Sequence, residues 1–214
     1  MPPTRSASAH RKVLDAALDL VAARGLDATS MDAIAEASGV SKATLYKHWK
    51  DKDALLLELM AEVNGLHARP VFDSGDTRAD IVAVLSYRPK EHSELRERIT
   101  PHFMAYSARN PAFGEAWRDM VMEPPRNELR HLLKQGIIRR ELTPKLDTEL
   151  CLSLLLGPIV YWYVFLRRKT DDPTQLAKAV ANAFWRAFAY RECPPKEAST
   201  GGATHRRTSS QPRR

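Results

Sequence analysis

An all-α fold is predicted for this chain of 214 residues. Apolar residues recur three or four positions apart through most of the sequence, and no window alternates apolar with polar residues as a half-buried strand does. Several helix starts are indicated by proline, which is tolerated at the first helical position, especially after a residue that can cap the helix. These starts lie at Thr100-Pro101, Asn110-Pro111, Pro124-Pro125, Thr143-Pro144 and Asp172-Pro173.

Local signals define the first two helices. The apolar residues of segment 13–21 recur at helical spacing, and Gly25 follows as a C-terminal stop. Segment 29–32, Thr-Ser-Met-Asp, has the pattern of a capping box, in which a side-chain oxygen accepts a hydrogen bond from a backbone N–H of the first turn. We therefore expect a short second helix that begins here and ends near Ser38-Gly39.

Two more helices are expected to follow with little interruption. Ser41 is suited to cap a third helix that extends to about Trp49. A fourth helix begins at Asp51 or Lys52 and continues to about Asn64, with several leucines along it.

Charge and cysteine content narrow the class of protein. The formal net charge is +7, but residues 1–60 carry equal numbers of acidic and basic side chains. Overall charge is therefore weak evidence for nucleic-acid binding, and the evidence must come from where the cations lie in the sequence. Cys151 and Cys193 are too few for a disulfide framework or a metal cluster, and the N-terminus lacks the apolar stretch of a signal peptide. We expect a cytoplasmic protein with no metal and no cofactor.

Segment 150–166, LCLSLLLGPIVYWYVFL, contains no charged residue. A membrane span needs about 17 apolar residues at the least, which makes a membrane-associated protein anchored by 150–166 the alternative hypothesis. A helix that is apolar on all sides also fits a position between other helices. The flanking amphipathic segments favour this second interpretation, so no membrane partner is expected.

Residues 31–49 have the pattern of two helices joined by a tight turn. Ala35 is small where the helices must approach, Gly39 suits a turn with positive φ, and Val40 and Leu45 are apolar at inward-facing positions. This spacing describes a helix-turn-helix, whose second helix enters the major groove of DNA. The lysines by themselves would fit an ordinary solvated surface equally well. Such a surface does not need the small, glycine and apolar residues at the positions just described. The side chains expected to meet bases or phosphates are Ser41, Lys42, Thr44, Tyr46, Lys47, His48 and Lys52.

The segment ALDLVAARGLDATSMDAIAEASGVSKATLYKHWKDKDALL resembles the N-terminal domain of the TetR (tetracycline-repressor) family of bacterial transcription regulators. The matching features are Ile34-Ala35, Gly39-Val40-Ser41, Leu45-Tyr46, Lys52 and Leu55, while Trp49 stands where the family usually has phenylalanine. The later segment GIIRRELTPKLDTELCLSLLLGPIVYWY is similar to a common C-terminal subtype of the family. The resemblance extends over residues 8–190.

This resemblance implies a homodimer that represses transcription and is released from its double-stranded DNA operator by a small molecule. It implies three helices for DNA and further helices for dimerisation and effector binding, and it assigns Thr29 or Ser30 to a phosphate. The expected divisions are a flexible arm at 1–9, a helix-turn-helix domain at 10–56, an effector-binding and dimerisation domain at 57–192 and a disordered basic tail at 193–214.

The dimer interface is expected where the apolar run 150–166 packs with the helix that follows it, since two such helices from each chain make a four-helix seam. Its residues are predicted to be Leu155, Ile159, Trp162, Val180, Phe184 and Phe188.

Large aromatic and methionine side chains collect in the middle helices, either as ordinary core or as a pocket for a small apolar or aromatic effector. The pocket residues are predicted to be Phe103, Tyr106, Trp117, Met120, Tyr161, Trp162 and Phe165. The fourth helix would transmit ligand binding to the DNA-binding helices. An enzyme is the remaining alternative, and it is disfavoured because the sequence has no nucleophile motif, phosphate loop or metal-ligand spacing.

Overall fold

The computed structural model describes residues 5–89, 93–166 and 172–191, and it confirms the all-α fold. Within these residues the helices are α1 (Arg5–Arg24), α2 (Met31–Ser38), α3 (Lys42–His48), α4 (Lys52–Val63), α5 (Thr77–Ser86), α6 (Ser93–Arg109), α7 (Pro111–Trp117), α8 (Glu123–Ile138), α9 (Thr148–Tyr161) and α10 (Pro173–Phe188). A π-helical turn, Arg118–Met122, joins α7 to α8, a second one, Trp162–Leu166, continues α9, and a 3-10 turn spans Leu66–Ala68.

Side-chain caps start the second, third and fourth helices where the sequence predicts them. Ser30, Ser41 and Asp51 accept hydrogen bonds from backbone N–H groups three residues later, at 3.2, 3.2 and 2.8 Å. Gly39 follows α2 with a φ of 67°, the left-handed conformation that the predicted turn requires. A cap of this kind stabilises a helix by about 1 kcal/mol, which matters most for helices as short as α2 and α3.

The N-terminal segment differs from the sequence-based expectation. Helix α1 begins at Arg5, so residues 5–9 are helical rather than part of a flexible arm. Segment 5–12 contains neither proline nor glycine, and its alanine, arginine and lysine residues favour a helix. Residues 1–4 and the predicted tail at 193–214 lie outside the described residues.

Two of the proline signals are wrong. Pro101 lies inside α6, where the Thr100 hydroxyl donates to a backbone carbonyl one turn earlier at 2.7 Å and the helix continues. Thr143-Pro144 starts no helix, because the Thr143 N–H donates at 2.9 Å to a carbonyl at the end of α10 and α9 begins only at Thr148. The other three signals coincide with the starts of α7, α8 and α10.

Two hydrophobic clusters hold the helices together. The first joins α1–α4 to α6 and α7, with Leu45 and Phe103 fully buried in it. The second joins α5 to α8, α9 and α10 around Leu132 and Leu155. We call α1–α3 the head and α5–α10 the body, with α4 between them. The domain boundary predicted after residue 56 runs through α4 and the first cluster, and it stays a prediction.

Helix α9 buries one face and exposes the other. Four residues predicted for the dimer interface, Leu155, Ile159, Val180 and Phe184, lie in the second cluster of their own chain and are at most 9% exposed. Phe188 packs on Phe184 with ring centroids 4.8 Å apart, and Trp162 is half-buried. The structure corrects the assignment of the four buried residues, because a run that is apolar on every side does not indicate which face points inward, and Trp162 and Phe188 stay predictions. The exposed apolar side chains are Leu150, Leu154, Val160, Tyr161, Phe165 and Leu166.

Candidate nucleic-acid interface and ligand cavity

The head packs α2 against α3 in the predicted helix-turn-helix arrangement. Leu45 is fully buried and Ala35 is 8% exposed. Trp49, which follows α3, is also buried, and its indole Nε1–H donates to Glu58 Oε2 of α4 at 2.6 Å. His10 of α1 stacks on the Trp49 ring with centroids 4.8 Å apart. These contacts hold α3 in a fixed orientation on α1 and α4.

The outer face of α3 presents cations and hydrogen-bond donors to solvent. Its exposed side chains are Lys42, Tyr46, Lys47 and His48, and Ser30 and Ser41 are exposed at the starts of α2 and α3. Thr44 is half-buried and shares a 2.9 Å hydrogen bond with Ser41. Lys42 pairs with Asp32 at 2.8 Å, but both side chains are more than half exposed, so a phosphate can compete for the cation. This face has the groups that bind phosphates and base edges.

Two residues predicted to contact DNA are engaged inside the protein instead. Thr29 is buried, and its hydroxyl donates to the Gly25 carbonyl at 2.8 Å. Lys52 Nζ donates to the Leu26 carbonyl at 3.0 Å and lies 5.2 Å from the centre of the Tyr106 ring. The structure therefore corrects both assignments: Thr29 stabilises the turn after α1, and Lys52 fastens α4 to the head. Sequence spacing places these residues near the DNA-binding helices but does not fix the direction of their side chains.

A cavity of about 530 Å³ lies in the body beside α4. Small-molecule sites typically have volumes of about 300–1,000 Å³ and mostly apolar walls. The apolar part of this lining includes Met60, Val84, Met104, Leu152 and Leu156, and its charged residues are Arg69, Arg88, Arg96, Glu97 and Arg126. The cavity has the size and the mixed lining of a site for an organic ligand.

The predicted pocket residues do not form one site. Among them Trp117 alone lines this cavity in the part of the chain that the structure describes. Phe103 and Tyr106 lie in the first hydrophobic cluster, and Trp162 is half-buried outside the cavity lining. Met120 is half-exposed in a separate cleft, while Tyr161 and Phe165 are exposed and contact each other with centroids 5.3 Å apart. Aromatic content alone did not separate core, surface and cavity residues.

Two cavity arginines could have been found in the sequence. Arg96 continues the apolar stripe of Ile99 and Phe103 one turn earlier, and Arg126 does the same for the stripe of Leu129 and Leu133 in α8. A charged residue on the buried stripe of a helix indicates a polar partner or a ligand. Arg88 follows the end of α5 and carries no such signal.

Two further contacts connect α6 to α4 and the head. The Tyr106 hydroxyl donates to Asp53 Oδ1 in the first turn of α4 at 3.0 Å. Burial, followed by this hydrogen bond, raises the pKa of Tyr106 to about 12, so the hydroxyl remains a donor at neutral pH. Arg98 Nη2 donates to the Ala22 carbonyl of α1 at 3.0 Å.

Comparison with known proteins accounts for both halves of this architecture. Residues 13–59 match the family model of bacterial regulatory proteins of the tetR family, and residues 71–184 match the tetracyclin repressor-like C-terminal domain. The HTH-type transcriptional regulator YdeS of Bacillus subtilis (strain 168) is 30% identical over 180 residues, which cover 84% of this chain and 90% of YdeS. The chain belongs to the tetR family of bacterial regulatory proteins.

Two other TetR-family proteins show how far the likeness extends. The DNA-binding transcriptional repressor TetR of Mycobacteroides abscessus is 25% identical over 147 residues, covering 69% of this chain and 75% of that protein. The crystal structure of a TetR-family regulator from Mesorhizobium loti has the same fold, with a TM-score of 0.61, 23% identity and coverage of 87% of this chain and 100% of that one. TetR-family proteins are transcriptional regulators, typically ligand-responsive repressors, and this chain is a DNA-binding transcriptional regulator.

The membrane-anchor hypothesis is not supported for this TetR-family chain. Residues Thr148–Leu166 are long and apolar enough to cross a membrane by length and composition. However, one side of this helix packs into the second cluster, and TetR-family regulators are soluble DNA-binding proteins. The exposed apolar face of α9 therefore needs another explanation.

Proposed function

We propose that this regulator is a repressor that leaves its operator when a small molecule fills the cavity beside α4. One observation carries the proposal: Met60 of α4 and Asn64 directly after it line the cavity, while Lys52 in the first turn of α4 is bonded to the head at the Leu26 carbonyl. A ligand that widens or tightens the cavity therefore acts on the helix that holds the head. The Mycobacteroides abscessus relative is named a DNA-binding transcriptional repressor, which agrees with repression.

Helix α6 is a second connection between the cavity and the head. It lines the cavity through Thr100 and Met104. It also reaches the head through the bond from Arg98 to the Ala22 carbonyl and through an ion pair between Arg109 Nη2 and Asp27 Oδ2 at 2.5 Å. Because α4 and α6 both line the cavity and both contact the head, a ligand that displaces these two helices also displaces the head.

The ligand lowers DNA affinity only if it binds the DNA-incompetent arrangement more tightly than the competent one. Two heads of a dimer must meet half-sites about 34 Å apart, one turn of the double helix. A small change in the separation of the heads then weakens binding, because both recognition helices cannot enter the groove in register.

We place the twofold dimer interface on the exposed face of α9 and the adjacent face of α10. On α9 and its π-helical continuation, Leu150, Leu154, Tyr161 and Phe165 are exposed. On α10 the exposed residues Ala179, Ala183 and Ala187 recur every four positions, and small side chains permit close helix approach. An apolar surface of this extent is unfavourable in water, and a second copy of the chain covers it symmetrically.

The remaining roles follow from this activity. DNA contact is assigned to Ser30, Ser41, Lys42, Thr44, Tyr46, Lys47 and His48 on the outer side of α2 and α3. The protein acts in the cytoplasm on double-stranded DNA, and the proposed function requires neither catalysis nor a cofactor.

A selection from genomic fragments tests the DNA-binding step and gives the operator. The purified protein should retain a small set of fragments with a common palindromic element, and a footprint on that element should span two half-sites. A protein that retains no duplex even in dilute salt, or that retains all fragments equally, contradicts sequence-specific regulation. The selected operator then serves to screen small molecules for release.

A further inference from the structure

We propose that the cavity beside α4 selects an organic anion, that is, an apolar body carrying one oxyanion group such as a carboxylate. This inference rests on the proposed function in one respect, since it takes this cavity as the effector site. It refines the expectation of an apolar or aromatic effector by adding a charge of defined sign.

The charge of the lining supports an anion. Among the described residues the cavity is lined by four guanidinium groups, those of Arg69, Arg88, Arg96 and Arg126, and by one carboxylate, that of Glu97. Arginine is suited to oxyanions because its planar fork of donors matches a carboxylate or a similar group. A cationic ligand would meet repulsion from any of these guanidinium groups that protein carboxylates do not neutralise.

These guanidinium groups differ in how far protein carboxylates neutralise them. Arg69 pairs with Glu128 at 2.7 Å, and Arg126 lies 3.2 Å from Glu149. Arg88 instead donates to the Tyr163 hydroxyl at 2.5 Å and to the Leu85 and Tyr87 carbonyls, all of which are uncharged.

Arg88 therefore keeps a net positive charge at the cavity wall. Within the described ranges no carboxylate pairs with it, and its Nη2 has no hydrogen-bond partner. Its three bonds hold the guanidinium against the end of α5 and against the π-helical continuation of α9, so its position is fixed before any ligand arrives. A fixed cation at a largely apolar wall attracts an anion more strongly than one in water does.

The rest of the lining fits an apolar body. Met60, Met104 and Met122 line the cavity together with Leu152 and Leu156. Methionine is flexible and adapts to different apolar shapes. The apolar wall thus provides affinity, while the Arg88 guanidinium discriminates by charge.

Two fluorescent dyes that differ by one group test the inference directly. Anilinonaphthalene sulfonate is an aromatic oxyanion, and phenylnaphthylamine has the same rings without the sulfonate. We would titrate both dyes into the full-length protein, into Arg88→Gln, and into Arg139→Gln as the control. Arg139 lies outside the cavity lining, and its replacement changes the net charge by the same amount.

We expect a loss of binding affinity for the sulfonate dye alone, and in the Arg88→Gln variant alone. Arg88→Gln should lower the affinity for the sulfonate dye by about tenfold or more, which is the cost of one charge-assisted hydrogen bond. The affinity of Arg88→Gln for the neutral dye should change by less than about twofold. Arg139→Gln should leave the affinities for both dyes near wild type. Arg88→Lys, which keeps the charge, should retain most of the sulfonate affinity.

The inference is overturned if Arg88→Gln lowers the affinity for both dyes equally or for neither of them. Should Arg88→Gln not fold, Arg88→Met decides by the same criterion, because methionine keeps an unbranched side chain and removes the charge. Operator binding by the same samples separates this inference from the proposed function. A cavity that prefers the anion while operator affinity stays constant contradicts the proposed function alone, and operator release by the neutral dye with no charge preference contradicts the inference alone.

Discussion

Tyr106 and Asp53 join the body to the first turn of α4 through a 3.0 Å hydrogen bond from the tyrosine hydroxyl to the carboxylate. The same tyrosine ring lies under the Lys52 ammonium, which is bonded to the Leu26 carbonyl. The start of α4, the head and α6 thus meet at one residue. We regard this junction as the point where a change in the body reaches the DNA-binding helices.

Replacing Tyr106 with phenylalanine should weaken this junction without opening a cavity. The free energy of unfolding should fall by about 1 kcal/mol, the typical contribution of one hydrogen bond. The ligand-induced loss of operator affinity should also become smaller, since α6 and α4 are less firmly connected. Chemical denaturation and operator titration measure the two effects.

Tyr190→Phe is the matched control, because Tyr190 is exposed and lies outside the junction. It should leave stability and ligand response near wild type. A Tyr106→Phe protein with full stability and an unchanged ligand response would remove this junction from the mechanism.

The raised pKa of Tyr106 predicts a loss of stability at alkaline pH. An unfolded tyrosine releases its proton near pH 10, whereas folded Tyr106 retains it until about pH 12. The stabilisation is therefore complete below pH 10 and is lost as the pH rises towards 12. Denaturation curves across this range should show a steeper decline for wild type than for Tyr106→Phe, and parallel declines would contradict the assignment.

Lys47 and Lys52 should respond differently to alanine substitution. Lys47 is exposed on α3, so Lys47→Ala should weaken operator binding and reduce the slope of log affinity against log salt by about 1. Lys52 is bonded inside the protein, so Lys52→Ala should lower stability and leave the salt slope nearly unchanged. Fluorescence anisotropy at several salt concentrations checks both, and a flattened slope for Lys52→Ala would show that this lysine reaches a phosphate after all.

A charge on the exposed face of α9 should break the proposed dimer. Leu154→Lys places a cation on this face, where its burial against the partner copy is costly, so the equilibrium should shift to monomer. Val71→Lys is the control, because Val71 is 89% exposed and lies outside α9 and α10. Sedimentation at several protein concentrations measures the shift, and equal behaviour of the two variants would contradict this interface.

Local signals in the sequence predict the head well and the body less well. Ser30, Gly39, Ser41 and Asp51 act through contacts within a few residues, so their pattern is sufficient to set the limits of α2, α3 and α4. Pro101 misleads because a proline on the exposed side of a long helix is tolerated when tertiary packing holds both flanks.

The direction of a side chain depends on contacts between distant segments, which the pattern does not contain. Lys52 bonds a carbonyl 26 residues earlier, and Arg88 bonds a hydroxyl 75 residues later. For the same reason the sequence does not indicate which face of α9 points into the core. Leu154 and Leu155 are equally apolar, but only Leu155 is buried.

Operator affinity at increasing occupancy of the cavity tests the central claim most directly. The operator from the genomic selection is titrated with protein by fluorescence anisotropy, at ligand concentrations for which separate binding data give the occupancy. The account predicts that the operator dissociation constant rises by about 5- to 150-fold at saturation, with an equal loss of ligand affinity when DNA is bound. An operator dissociation constant that does not change while the cavity fills would contradict it.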